Sequence, residues 1–484
     1  MGRPEFQGPN ASWTVQAFEA RDDIGGIWMS EKNSGEVIRF PSSDSDLGYI
    51  EVPPTPLYNG LTTNIPHPLM AYHDFPFPPS TPLYPRASIV LDYLRSYARH
   101  FDLRRHIQFN RRITSLERDE LNDCWKLGLD DAPSCPSLYF DAIVLCQGRF
   151  KEPRFPNISG LQGWTKSERK CIHSISYREP SGFRGQRVLV VGAGPSGQDI
   201  STEISQTATL LLQSSTGAKR SNDKLVKQRA RLVELRAEDG SAHYEDGTSD
   251  LDIDAVVFAT GYKYSFPFFP LLHPSGTHDE ADPIPPHLFN STYHIHPLAR
   301  HLFPLRDIPP SKLAFMSLLY KVAPFPAFED QAQAIASVFL GKHQLNDHRE
   351  ELLVRKRFEL LSRRCNGNLK QVAKTWHWVP ADDPEIEDQY QYRTDLLEIS
   401  GNDGFPPPPP WNRHIYLQRK KLRQIWVDLE KRGLGEQIVK GVGEGGEHEW
   451  VNLMYRLLNG HTSRITGVPS PERLGAHTLM KARL

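Results

Sequence analysis

The segment Arg187–Asp199, RVLVVGAGPSGQD, constrains the fold more than any other stretch of the chain. Val188 to Val191 form a short apolar run of buried-strand type. Gly192, Gly194 and Gly197 follow at G-x-G-x-x-G spacing, and Pro195 stands where a helix can begin. Strand, glycine turn and helix in that order open a dinucleotide-binding unit. The first glycine permits the tight turn, the second lets a pyrophosphate approach the backbone, and the third lets helix pack on strand. The helix N-terminus then offers free N–H groups to the phosphates.

The residues that follow extend this reading. TATLLLQSS, Thr207 to Ser215, reads as the second strand of the unit. A cofactor with a free ribose 2′-hydroxyl calls for Asp or Glu at the end of that strand. Here Gln213, Ser214 and Ser215 stand there, with Lys219 and Arg220 just beyond. Uncharged hydrogen-bonding groups followed by two cations predict a 2′-phosphate, and so NADP(H) in preference to NAD(H).

At 484 residues the chain is long enough for two or three domains. A formal net charge of -1 with no basic cluster excludes a nucleic-acid footprint. Five cysteines without a CxxC pair suit a reducing compartment better than a disulfide framework. No apolar run reaches bilayer-spanning length and no secretory signal opens the sequence, which reads as cytoplasmic with no transmembrane segment. Prolines are frequent but interleaved with aromatic residues, which marks extended connections and not disorder.

A second dinucleotide unit is written less completely. TVQAFEA, Thr14 to Ala20, reads as a strand ending at Glu19, followed by a tight Gly25-Gly26 turn in RDDIGGIW. Glu19 would accept from a ribose hydroxyl, and a glycine fingerprint is then expected roughly twenty residues earlier. The residues ahead of Thr14 carry no such pattern. Two readings stay open: a start further upstream, or loss of one phosphate cradle. The pair FDAIVLCQGRF (Phe140 to Phe150) and IDAVVFATGYKY (Ile253 to Tyr264) echo each other and suggest two duplicated folds. Between Glu19 and Phe140, Ser88–Phe101 has helical spacing, and Ile107–Glu117 and Trp125–Leu129 read as strands. Further on, Ala327–Phe339 reads as a helix, residues 346–374 as a charged surface helix, and Ile415–Arg432 as one amphipathic basic helix docked on the core. Pro406 to Pro410 reads as a rigid connector.

FEARDDIGGIW (Phe18 to Trp28), YNGLTTNIP (Tyr58 to Pro66), CIHSISYREP (Cys171 to Pro180), VLVVGAGPSGQD (Val188 to Asp199), FATGY (Phe258 to Tyr262) and the stretch from Leu313 to Gly341 together resemble the flavin-containing monooxygenases. The family's identifying stretch, F-x-G-x-x-x-H-x-x-x-[Y/F], is matched only in its second half, by His173 and Tyr177. Ser167 and Arg169 replace the Phe and Gly.

The resemblance implies an α/β fold of two nested Rossmann-like dinucleotide-binding domains. Residues 1–160 would form the first part of an FAD-binding domain lacking its first strand and glycine loop. Residues 161–270 would be the NADP-binding domain, and 271–484 would return to the FAD domain with a helical C-terminal extension. By the same resemblance Glu19 binds the FAD ribose, and Ile27 and Trp28 line FAD. Thr63, Asn64 and Ile65 sit where flavin meets nicotinamide, with Asn64 as the active-site asparagine. Ser196, Gly197, Gln198 and Asp199, with Gly192 and Gly194, hold NADP. His173 is expected to be a structural hydrogen bonder between domains.

The implied activity is that of an N,N-dimethylaniline-type monooxygenase using FAD, NADPH and O2. It would oxygenate nitrogen or sulfur of small molecules through a C4a-hydroperoxyflavin. A flavin oxidase or Baeyer–Villiger enzyme, and a non-catalytic NADP-binding remnant, are the alternatives. Tyr177 in place of Trp leans away from the Baeyer–Villiger branch.

Overall fold

The computed structural model describes residues 13–29, 55–130, 137–222, 225–272, 283–383, 385–401 and 405–460. Its best-formed layer is a five-stranded sheet in the order Lys227–Arg229, Leu210–Ser214, Arg187–Val191, Ala255–Phe258, Lys170–His173, with every pair parallel. The central strands are continuous β-branched and leucine runs because both faces are covered. Val188, Val190, Ala255 and Val257 pack with Ile200 and Ile204 of the helix Pro195–Ile204. Leu189, Val191, Val256 and Phe258 face a three-stranded antiparallel ribbon made of Leu232–Arg236, Ser241–Tyr244 and Ser249–Asp250. Each fully buried Val or Leu here contributes roughly 1.5–3 kcal/mol.

A second parallel arrangement is built from two separate pairs. Ala17–Phe18 pairs with Ile107–Gln108, and Ile143–Leu145 with Leu313–Phe315, both parallel. Beneath them lies another three-stranded antiparallel ribbon, Ile113–Asp119, Cys124–Leu129 and Leu138–Phe140. The strand expected over Thr14–Ala20 is cut to two residues, Ala17 and Phe18, which among the described residues pair on one side only. The run expected over Ile107–Glu117 divides, because Asn110 takes φ 55° and sends its halves to different sheets. The connections between the two arrangements run side by side: Glu152–Pro153 pairs antiparallel with Tyr262–Lys263.

The rest is helical cover. Ala87–His100 packs with Arg419–Lys431 and Glu447–Leu458 in one core, and Pro324–Phe339 packs with Gln389–Ser400 in another. Ile415–Arg432 is not one helix. It breaks at Gln418 into Pro410–Leu417 and Arg419–Lys431, so that Ile415 and Tyr416 as well as Leu422, Trp426 and Leu429 are buried. The charged run 346–374 is likewise two helices, Asp347–Arg364 and Leu369–Thr375, parted where Asn366 and Gly367 take positive φ. No helix among the described residues is long and apolar enough to cross a membrane.

Candidate cofactor and substrate site

The glycine turn divides its labour among three positions. Gly192 has φ +116°, and a Cβ there would collide with the carbonyl oxygen of Ala259. A Cβ on Gly197 would collide with the carbonyl oxygen of Gly192. These two glycines let strand, turn and helix close on each other. Gly194 is different: it is extended, exposed, and no described residue lies within 4 Å of where a Cβ would stand. Open space therefore remains where a pyrophosphate would approach. Pro195 opens the helix, and its first-turn N–H groups, those of Ser196 and Gly197, have no intrahelical acceptor.

Gln213 and Ser214 do not face a ribose, which corrects the expectation for them. Gln213 is buried, and its side-chain amide donates to the carbonyls of Gly192 (3.2 Å) and Gly197 (3.1 Å). It therefore holds the turn in shape. The Ser214 hydroxyl donates to Ala230 O and accepts from Leu232 N. Arg220 lies 3.2 Å from Asp250, which also pairs with buried Arg229. Lys219 is exposed.

Asp199 and Glu203 of the same helix face the YNGLTTNIP loop. The Tyr58 hydroxyl donates to Asp199 (2.9 Å) and the Tyr177 hydroxyl to Glu203 (2.7 Å). The two tyrosine rings meet edge to face at 5.7 Å. Burial, reinforced by the neighbouring carboxylates, pushes both phenols well above their ordinary range, so both remain donors. Gly60 leaves room for Glu203, whose carboxylate occupies the place of a Cβ. Sequence reading expected Asp199 at the cofactor; in the structure its carboxylate ties the helix to the loop. Tyr58→Phe is expected to cost about 1 kcal/mol in a urea melt and to loosen this contact. Parental stability together with parental NADP+ affinity would remove the bridge from consideration.

In that loop Thr63 and Ile65 are buried and Asn64 is exposed. The Thr63 hydroxyl donates to Ile65 O (2.9 Å) and its N–H to Pro85 O (3.0 Å), which fixes the turn that presents Asn64. One neighbour escaped the sequence reading. Arg423, on the helix Arg419–Lys431, donates to the Thr62 hydroxyl, with its guanidinium 4.8 Å from the centre of the Tyr84 ring. Only the basic amphipathic pattern of that helix could have pointed to it.

In the first arrangement Glu19 follows its strand, its N–H bonded to Gln108 O and its carboxylate accepting from Arg21 N (2.9 Å). Ile27 and Trp28 lie in the turn Gly26–Trp28, Ile27 exposed and Trp28 half-buried. Gly25, at φ +134°, brings this turn against Leu91. His173 is fully buried. Its Nδ1 accepts from Ile175 N (3.2 Å), so Nε2 carries the proton and donates to Gly261 O (3.1 Å). Burial lowers its pKa to about 3.

Residues 12–228 and 222–355 match the model of the flavin-binding monooxygenase-like family. Flavin-containing monooxygenase FMO GS-OX-like 2 of Arabidopsis thaliana is 28% identical, over 86% of this chain and 87% of its own length. FMO GS-OX-like 1 of the same plant is 32% identical, over 69% of this chain and 68% of its own. Among solved structures, S-allyl-L-cysteine S-oxygenase from Allium sativum superposes with a TM-score of 0.68 at 23% identity, covering 93% of each chain, which is a likeness of fold. With a glycine turn closed by Gln213, a loop tied to it by Tyr58, and a family match along most of its length, this chain belongs to the flavin-binding monooxygenases.

Proposed function

We propose that this chain is an NADPH- and O2-dependent monooxygenase that oxygenates a nucleophilic nitrogen or sulfur of a small molecule, with Asn64 as the active-site amide. The observation that carries this reading is the Tyr58–Asp199 bond, which sets the loop bearing Asn64 beside the helix that opens from the glycine turn. The division at residues 160 and 270 into FAD, NADP and returning FAD segments belongs to the same proposal.

FAD and NADPH are the cofactors of this family. The second unit fits NADPH: Gly194 leaves open space, and the N–H groups of Ser196 and Gly197 stand beside it. The first unit fits FAD at its ribose and ring ends, through Glu19, Ile27, Trp28 and Thr63 to Ile65. Its described residues hold no G-x-G-x-x-G turn to meet the pyrophosphate. When bound, NADPH supplies hydride and FAD supplies the oxygen-activating ring. The chain's own part is positional. The glycine turn would meet the dinucleotide's pyrophosphate, Gln213 holds that turn in shape, Asn64 offers an amide donor and acceptor, and Thr63 fixes its direction. No acid, base or nucleophile of the protein is required.

The test is turnover with a thioether and a tertiary amine under 18O2. One labelled oxygen on sulfur or nitrogen is expected. Ester formation from a ketone, or peroxide alone, would overturn the reading. Asn64→Ala is expected to keep the parental melting curve, because the residue is exposed. It should also release several-fold more peroxide per NADPH consumed, on the order of 1 kcal/mol of lost hydrogen bonding. Equal leakage in mutant and parent would remove Asn64 from its role.

A further inference from the structure

The helical cover contributes one charged side chain to the site. The helix Arg419–Lys431 lies beyond residue 355, where the match to the family model ends. It buries Leu422, Trp426 and Leu429 in the core that also holds Ile65 and Tyr84. Arg423 reaches the loop that presents Asn64: its Nη2 donates to the Thr62 hydroxyl, and its guanidinium carbon stands 4.8 Å from the centre of the Tyr84 ring. The helix is anchored beside the same ring. The Tyr84 hydroxyl donates to Arg419 O (3.4 Å), and Trp426 packs on Tyr84 with 6.3 Å between ring centres.

Thr62 stands where the loop passes from one neighbour to another. Ahead of it the loop is fastened to the second unit, where the Tyr58 hydroxyl donates to Asp199 and Asn59 N donates to Arg178 O (2.8 Å). From there on it is fastened to the entry of the helix Ala87–His100. Thr62 forms an isolated antiparallel bridge with Arg86, Thr63 N donates to Pro85 O (3.0 Å), and Ala87 N donates to Leu61 O (3.3 Å). The charge of Arg423 also reaches the Tyr58–Asp199 bond. Burial raises the Asp199 carboxyl, and the Tyr58 hydroxyl and the Arg423 guanidinium oppose it, which favours the ionised form that accepts from Tyr58.

Arg423 is half-buried, and its Nη1 is buried with no hydrogen-bond partner among the described residues. A guanidinium so placed stabilises a fold less than a well-packed apolar side chain of its size does. Such departures from the rules of packing gather at functional sites.

We infer that Arg423 is a positioning residue of the reaction: through the Thr62 hydroxyl it fixes the turn two residues ahead of Asn64, and so sets the place of the Asn64 amide. Its action passes through Thr62 and touches no reacting group. The role of Asn64 rests on the function proposed above; the hold of Arg423 on the turn does not.

The experiment compares the parent chain with Arg423→Met, Thr62→Val, Thr62→Ser and the double variant Arg423→Met/Thr62→Val. Amide hydrogen exchange at Leu61 and Thr63 is read first, and peroxide released per NADPH consumed second. Arg423→Met and Thr62→Val should each speed exchange at the two amides by at least about tenfold, the effect of one lost hydrogen bond to a charged group. Exchange along Ala87–His100 should not change. Peroxide release should rise at least about twofold in each, less than in Asn64→Ala. Thr62→Ser keeps the hydroxyl and should match the parent in both readings. The double variant should be no worse than Arg423→Met alone, because both changes remove the same bond. Thr62→Val keeps a β-branched side chain in an extended bridge, so it decides the matter if Arg423→Met fails to fold. Parental exchange in Thr62→Val, or additive effects in the double variant, overturns the inference. So does faster exchange with parental peroxide release, where Asn64→Ala itself leaks. If Asn64→Ala does not leak either, the role of Asn64 is overturned and faster exchange still upholds the hold of Arg423 on the turn.

Discussion

Gly197→Ala is expected to damage the fold of the second unit, while Gly194→Asp is expected to leave that fold intact and remove NADP(H) binding. The two positions differ in what surrounds them. A methyl group on Gly197 would overlap the carbonyl oxygen of Gly192, a backbone atom that Gln213 also holds in place. Relief requires the helix Pro195–Ile204 to move off the sheet, which uncovers Ile200 and Ile204. Overpacking of this kind costs about 1–3 kcal/mol, and the lost packing of two isoleucines adds to it. At Gly194 the backbone is extended with φ -71° and the Cβ direction is open. Stability should therefore stay within about 0.5 kcal/mol of the parent. The added carboxylate would stand where the pyrophosphate approaches, so like charge and bulk act together. At least about 3 kcal/mol of binding, or a hundredfold in NADP+ affinity, should be lost. Thermal melts and NADP+ titrations of the two variants decide the matter. A Gly194→Asp protein with parental affinity would show that the cofactor lies elsewhere.

Acid should unfold this protein well before its carboxylates are exhausted. His67 and His173 have pKa values lowered by burial to about 3, and burial also drives His301 and His377 well below their ordinary value, with Arg357 reinforcing the effect. The hydrogen bonds explain why a second proton is refused. His377 Nε2 accepts from Ile295 N, so its Nδ1 donates to His301 Nδ1 at 3.0 Å. A proton added to His301 at that atom would point at another proton. In His173 the added proton would point at the N–H of Ile175.

The sign follows from the depressed folded pKa. The stability contributed by each neutral histidine is fully present above the unfolded value near 6.5 and is lost as pH falls toward the folded value. Each group contributes a slope of about 1.4 kcal/mol per pH unit. Glu329 works against this. Burial raises its pKa to about 7, so its protonation favours the folded state as pH falls below 7. The net slope between pH 6.5 and 5 should be roughly 1–4 kcal/mol per unit, a large share of the stability of an ordinary domain. Urea melts across that range measure it. His173→Gln should lower the slope by about one proton, near 1.4 kcal/mol per pH unit. An unchanged slope would mean that His173 does not resist protonation.

What depends on neighbours in the chain can be read from the residues alone. The strand Arg187–Val191, the three glycines and the helix after them are legible because local sterics and apolar periodicity dictate them. The helices Ala87–His100 and Pro324–Phe339 are legible for the same reason. The family resemblance was legible too, since it lies in ordered short motifs. Tertiary structure alone decided which polar groups are free to act. Gln213 and Ser214 sit at the expected strand end, yet both are spent on the backbone, because a buried hydrogen-bonding group must find a partner within reach. Asp199 was drawn to Tyr58, 141 positions away, and Arg423 to Thr62, 361 positions away, pairings that no local pattern encodes. The helix break at Gln418 was equally invisible, since it is set by the one core on which both halves dock. The short strand Ala17–Phe18 has the same origin: a strand's length depends on its neighbours in the sheet, and these are chosen by the fold.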